Sequence, residues 1–446
     1  VKVRKLLILV LSAVVIFSLS PFAQSAGFLI YEHGAAAMAM GGAFIGLAND
    51  PSAVFHNPAG IAWLNGTQIS VGTTLITSSA SLSLPNYPDP TFQTVDQEKQ
   101  WFYPSTLYFT HKFGDKIAAG FGFFSPYGLG TKWPKDYPLK YISYEDDMKT
   151  FFFNPVVAYK VSDNFSVGVG VSYIYATLDF MLIDHEEIDI GPLIGLPYPI
   201  DSTFDLDAHL DSSGSGWGFN AGALFKTENF SIGFNWRSGF KIKFEGDILV
   251  ELDDYYVPAP YDQLIPAEQI TQFIPESVPA STEFNFPHIL GVGIAYNLTN
   301  DFLFTADVHY VLWDTYKEVI VAVEHALFAD KEIEENWENS FLLRGGLQYQ
   351  LSESFALRGG FLYDQTPQPV ESMDPMLPDA DRWALTGGFG YNAGGLVIDA
   401  AFQYEVFSDR TSPNRNILIH PLLGNLGEGT YSNTAYLIGI SIGYKF

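Results

Sequence analysis

Along most of the chain, apolar and small or polar residues alternate at every second position. From Phe165 to Tyr175 one register holds Phe165, Val167, Val169, Val171, Tyr173 and Tyr175, and the other holds Ser166, Gly168, Gly170, Ser172 and Ile174. The C-terminal stretch repeats the pattern, with Tyr436, Ile438, Ile440, Ile442, Tyr444 and Phe446 against Leu437, Gly439, Ser441, Gly443 and Lys445. A period of two over this length predicts strands that see two environments. The aromatic-tipped face suits lipid and the Gly-rich face suits an interior. Short polar turns at 113–116, 161–164, 226–229, 298–301, 351–354 and 392–395 alternate with long connections at roughly 82–99, 128–148, 185–210, 251–281, 325–336, 365–380 and 409–429. Thirteen connections of strictly alternating length join fourteen strands. An even count of antiparallel strands with short turns on one rim and long loops on the other predicts a closed outer-membrane barrel over 67–446. A closed barrel also pairs every backbone N–H and C=O in hydrocarbon.

Two N-terminal segments break the alternation. Lys2, Arg4 and Lys5 precede the uncharged apolar run Leu6–Leu19, and small residues Ala23 and Ser25 follow, so residues 1–25 are expected to be a secretory signal peptide. Residues 26–66 are then compact and studded with turns: AAAMAMGGAFIGLA can form helix, and NDPSAVFHNPAGIAWL carries Pro directly after Asn49-Asp50 and after Asn57, the arrangement of an N-cap followed by Pro at the first helical position. Forty such residues make a poor independent domain. A fourteen-strand bore is too wide for wall side chains alone to fill. The segment is therefore expected to plug the barrel as a small helical hatch.

Composition fits this picture. Hydrophobic residues make up 47% and aromatics 16%, yet after the leader there is no apolar run long enough for a spanning helix. The net charge of −27 argues against nucleic acid. With no cysteine there is no disulfide or thiolate chemistry.

Setting the register by the apolar face assigns the bore. Ser231, Gly233, Asn235 and Arg237 face inward on a strand expected to run over 229–250, as do Asp307, His309, Arg344, Gln348, Arg358, Asp364, Arg382, Asp399, Gln403 and Glu405. Arg237, Arg358 and Arg382 are candidates to hold a ligand carboxylate. The competing reading is that each pairs with Asp364, Asp399 or Glu405 to join wall and hatch. On the outer side, IGPLIGLPYPI exposes Leu193, Ile194, Leu196 and Ile200, a patch suited to capturing a hydrophobic ligand unless the loops pack on one another. DHEEID (184–189) reads as a solvated acidic face, with a calcium site as the alternative. No nucleophile motif or phosphate-binding loop occurs, so neither catalysis nor a cofactor is expected, and transport would be passive. An outer-membrane barrel phospholipase and a general porin are the alternatives from other classes.

AGFLIYEHGAAAMAMGGAFIGLANDPSAVFHNPAGI resembles the mature start of the FadL/TodX family of outer-membrane hydrophobic-compound transporters. The likeness continues in NPVVAYKVSDNFSVGVGVSYIYA, GWGFNAGALF, FNWRSGFKIKFEGD and YDQTPQPVESMDPMLPDADRW. It implies a fourteen-strand barrel with an N-terminal hatch containing Asn57, Pro58 and Ala59. It implies uptake of long-chain fatty acids or aromatic hydrocarbons, with sideways exit at a kinked third strand, here KIAAGFGFFSPYG with Gly120, Gly122, Pro126 and Gly128. The partners it implies are a hydrophobic small molecule and the lipid and lipopolysaccharide of a Gram-negative outer membrane. The protein is expected to act as a monomer.

Overall fold

A computed structural model describes residues 27–192, 195–261, 271–325, 330–412 and 429–446; the expected signal peptide lies outside them. The period-two segments form fourteen antiparallel strands. The first six are Thr67–Ser83, Ser105–Phe113, Ile117–Phe124 (resuming as Gly128–Lys132), Glu145–Ser162, Phe165–Asp189 and Asp201–Lys226. The seventh is Phe230–Arg237 continued by Phe240–Tyr256, the eighth Ser277–Phe286 with His288–Asn297, and the ninth Phe302–Leu312 continued by Glu318–Val323. Lys331–Glu334 leads into the tenth, Ser340–Ser352; Phe355–Asp364, Arg382–Ala393, Leu396–Phe407 and Gly429–Lys445 complete the wall. The last strand pairs with the first from Gln68↔Lys445 to Ser83↔Thr430, so the sheet closes without edges.

The six short turns fall where the polar tetrapeptides stand. Other boundaries differ from expectation. The fifth and sixth strands stay paired out to Asp189↔Asp201, so most of the expected loop 185–210 is a hairpin standing above the membrane. Aspartates there do not break the strand, because their side chains find partners, Asp205 in His185 and Tyr141, Asp207 in Lys135 and Tyr144 and Asp184 in Lys331, while the backbone keeps its ladder. The expected 229–250 strand is interrupted at Ser238–Gly239, and the inward register changes from odd positions ending at Arg237 to even positions starting at Phe240. Pro287 produces the same change of phase in the neighbouring strand. Below these two slips the wall turns small and polar residues inward, and above them it turns Phe240, Ile242, Phe244, Phe284 and Phe286 inward.

Outward faces carry the expected lipid band. Exposed Tyr173, Tyr175, Phe153 and Trp217 mark one edge, and Phe113, Tyr159, Phe302, Tyr349 and Tyr444 mark the other. Just above the first belt the outward face turns acidic: Asp147, Asp179, Asp211 and Asp247 occupy successive register positions on four adjacent strands.

Candidate functional site

Residues 28–62 are buried almost throughout inside the barrel. They form two helical turns, Ala35–Met38 and Ala53–His56, and a 3-10 turn Pro58–Trp63. Asn57 caps the last of these by accepting from the Ala59 N–H at 3.2 Å. Its amide donates to the Ile45 carbonyl at 3.0 Å within the hatch and to the Ala223 carbonyl at 3.1 Å in the sixth strand. The wall makes room through Gly222, where an added Cβ would lie 2.1 Å from Asn57 Oδ1 and 2.9 Å from Pro58 Cδ. Asp50 accepts from Ser52 N–H at 2.8 Å, but the second helical turn starts later than expected, with Ser52 rather than Asp50 as its N-cap and Pro51 outside it. Asp307 holds the other side by accepting from Phe44 and Ile45 N–H at 2.6 and 2.8 Å.

The third strand meets this hatch directly. Gly120 and Gly122 face Val54, with added Cβ atoms 3.0 and 2.8 Å from its methyls. Above them the ladder to the second strand stops at Leu107↔Phe123. Pro126 has no N–H to donate, and its carbonyl turns inward to accept from Ile30 N–H at 2.8 Å. Gly128 donates back to the Phe28 carbonyl at 2.9 Å, and Leu29 bridges Tyr127. From Gly128 the strand resumes against the fourth strand only. Pro126 therefore marks an interruption within the strand, where hatch backbone replaces a neighbouring strand.

Two apolar spaces lie above the hatch. The outer one is a cavity of about 330 Å³, lined by Phe180, Leu206, Leu210, Ile248, Val250 and Val321 among others, with the Lys331–Asp184 pair at 2.6 Å. A neck of about 50 Å³ shares Phe180, Leu210, Val321 and Ile333 with it and ends on Phe28. Phe28 is held edge-on by Trp313 and Tyr316, with ring centroids 4.8 and 5.4 Å away. Beyond Phe28 lies Tyr127, whose ring is 6.2 Å away, and then Phe152 and Phe240.

The three candidate arginines separate here. Arg358 pairs with Asp399 at 2.6 Å, and Arg382 pairs with Asp364 at 2.9 Å and Glu405 at 3.1 Å. Arg237 is buried without an ion pair among the described residues. It donates to the Phe55 carbonyl at 3.3 Å and lies over the rings of Phe55, Phe124 and Phe152. The buried hydroxyls of Tyr31, Tyr108 and Tyr127 have no hydrogen-bond partner among the described residues; the Tyr108 and Tyr127 rings pack on Phe124 and Phe152, which Arg237 overlies, and the Tyr31 ring lies under Arg344. These tyrosines were not singled out from sequence. Tyr108 alternates inward on a recognisable strand, but Tyr31 and Tyr127 lie in segments without period.

Leu193 and Ile194 of the expected outer patch lie outside the described residues. Leu196 is half-buried and Ile200 fully buried, against a cluster that includes Ile190, Phe204, Leu206 and Val250. These two residues are packed rather than exposed, because the tall hairpin gives them a surface to bury against. Leu206 and Val250 also line the outer cavity, so the packed loop adjoins its wall.

A closed, plugged barrel with aromatic belts and an apolar internal column defines an outer-membrane transport protein. The chain belongs to the outer membrane protein transport protein (OMPP1/FadL/TodX) family, which it matches over residues 16–446. Such proteins sit in the outer membrane of Gram-negative bacteria and carry hydrophobic compounds. It is 23% identical to the long-chain fatty acid transport protein of Salmonella typhi over 467 residues, covering 97% of each chain. Among solved structures it is similar to a Pseudomonas aeruginosa FadL homologue (TM-score 0.77, 20% identity, 94% of this chain and 100% of that one). It is also similar to the Pseudomonas putida toluene transporter TodX (TM-score 0.70, 16% identity, 95% and 100%).

Proposed function

We propose that the protein carries long-chain fatty acids passively across the outer membrane, under control of its hatch. An acyl chain gains about 0.8 kcal/mol per buried methylene, so the outer cavity suffices for capture. The ligand then descends the neck past Phe28. The observation that carries the fatty-acid reading is Arg237: a buried guanidinium with no carboxylate partner among the described residues, over rings that pack on Tyr108 and Tyr127, whose hydroxyls are unpartnered there too. A pure hydrocarbon would use none of these groups, whereas a carboxylate would satisfy several of them. Exit follows at the interrupted third strand. There Ser125–Gly128 is already turned away from the second strand onto hatch residues 28–30, so movement of the hatch would uncover a sideways route into the bilayer. That route spares the alkyl chain a passage through water.

The test is uptake of labelled oleate by cells lacking their own fatty-acid porter. Losing a charge-assisted contact worth about 1.5–3 kcal/mol predicts about a 10- to 100-fold fall in apparent oleate affinity for Arg237→Ala. Toluene uptake should not change. Unaltered oleate affinity in the variant would sink the assignment of Arg237 to the carboxylate.

A further inference from the structure

The neck between the outer cavity and Phe28 is apolar for most of its lining, but Asp146 opens onto it. Asp146 is 1% exposed. Its Oδ2 accepts from Thr131 Oγ1 at 2.9 Å and from Ser143 Oγ, while Oδ1 has no partner among the described residues. Asp374 and Glu335 line the same neck, and none of its described lining residues is Lys, Arg or His. The outward neighbour of Asp146 in the fourth strand, Asp147, belongs to the acidic row above the aromatic belt, so this level is outside the hydrocarbon.

A charged carboxylate lining an apolar neck with one oxygen unpartnered is unfavourable, and its neutral form needs a proton on one oxygen. Both hydroxyl donors occupy Oδ2, which leaves the buried Oδ1 to carry that proton as the free donor of a neck-lining carboxyl. We propose that Asp146, as a neutral carboxylic acid, is a head-group checkpoint that admits a passing fatty-acid carboxylate by sharing its proton with it, one proton between two carboxyl groups. The reading rests on fatty acid being the ligand. When the ligand moves on toward Arg237 the proton stays on Asp146, so nothing is consumed. Once Asp146 loses its proton, its charge adds to that of Asp374, no shared proton is left to hold the head group, and the head group is turned back.

Burial pushes the Asp146 carboxyl up to about 8, and the neighbouring charges of Asp374 and Glu145 add to that rise against the two hydroxyls. The other ionisable groups around it are Glu335, Tyr316 and Tyr137. The acid form therefore dominates below that value and is lost as pH rises through it. Raising pH from about 6 to about 9 cuts the neutral fraction by about tenfold.

The experiment measures oleate and toluene uptake over that range in wild-type protein and in Asp146→Asn, whose amide keeps a donor at all pH values. Barrel assembly is checked by resistance to unfolding in SDS without heating. Wild-type oleate uptake should fall several-fold toward high pH, Asp146→Asn should lose that dependence, and toluene uptake should stay flat in both. An Asn variant that keeps the wild-type oleate profile overturns the checkpoint. Wild-type protein that takes up toluene but no oleate at any pH overturns the fatty-acid reading itself, and the checkpoint with it.

Discussion

Arg382 lies between two buried carboxylates, whereas Arg237 meets only rings and the Phe55 carbonyl. The two should respond differently to truncation. Arg382→Ala strands Asp364 and Glu405 as buried charges without their counterion, a loss of about 3–5 kcal/mol. It should lower the thermal unfolding midpoint clearly in a detergent melt. Arg237→Ala strands no anion and should shift the midpoint much less while weakening oleate uptake. Equal shifts for the two would mean that Arg237 is structural as well. Parity along the strands placed all three candidate arginines on the inner wall, because the alternating face is a local property of the chain. It could not tell the paired ones from the unpaired one. The partners of Arg382 come from strands eleven and thirteen, and their match depends on register between distant segments. Asp146 was not legible: it falls within the expected connection 128–148, whereas the fourth strand begins at Glu145 and turns Asp146 inward with Met148, Thr150 and Phe152, and the neck it opens onto is built from several other strands.

At the scale of the element, the third strand is where local chemistry and global closure conflict. Gly120 and Gly122 leave room for Val54, and Pro126 withholds a donor, so the ladder to the second strand cannot simply continue. The hatch backbone at Phe28–Ile30 supplies the missing partners. Replacing Ser125-Pro126-Tyr127-Gly128 by Val-Thr-Val-Thr restores strand propensity and a full set of N–H donors. That variant should assemble, since the fourth strand already pairs with the third on both sides of the break, and oleate uptake should fall by about tenfold or more if the interruption is the exit. Undiminished uptake would place the exit elsewhere. The short turns were readable, because Gly, Asn and Asp act on the backbone locally; the break at Pro126 was expected only from the family resemblance, since a Pro there can equally end a strand. The phase slips at Ser238–Gly239 and Pro287 were not read. Each looks like an ordinary strand residue or turn breaker until the two are seen side by side, where together they switch the inner wall from polar to apolar.

For the whole molecule, closure and plugging rest on different interactions. The wall closes through the pairing of the first and last strands, and Phe446 N–H donates to the Thr67 carbonyl at 2.9 Å. None of that pairing involves the hatch. The hatch in turn is held by Asn57, Asp307 and close contact with wall glycines, and its apolar residues join three buried clusters with the wall. Removing residues 27–64 should therefore leave a barrel that still inserts and still resists SDS. Many inward residues below the phase slips are small or polar, Ser231, Asn235, Asp307, Arg344 and Gln403 among them, so water can enter the vacated bore. In planar bilayers the deletion should give large, steady openings where the full chain gives none, and cells carrying it should become sensitive to polar antibiotics normally kept out. A deletion that inserts yet remains electrically silent would mean that the wall side chains, Arg358–Asp399 and Arg382–Glu405 among them, close the bore unaided. The segment that interrupts the alternating pattern would then serve in gating the ligand alone, not in sealing the membrane.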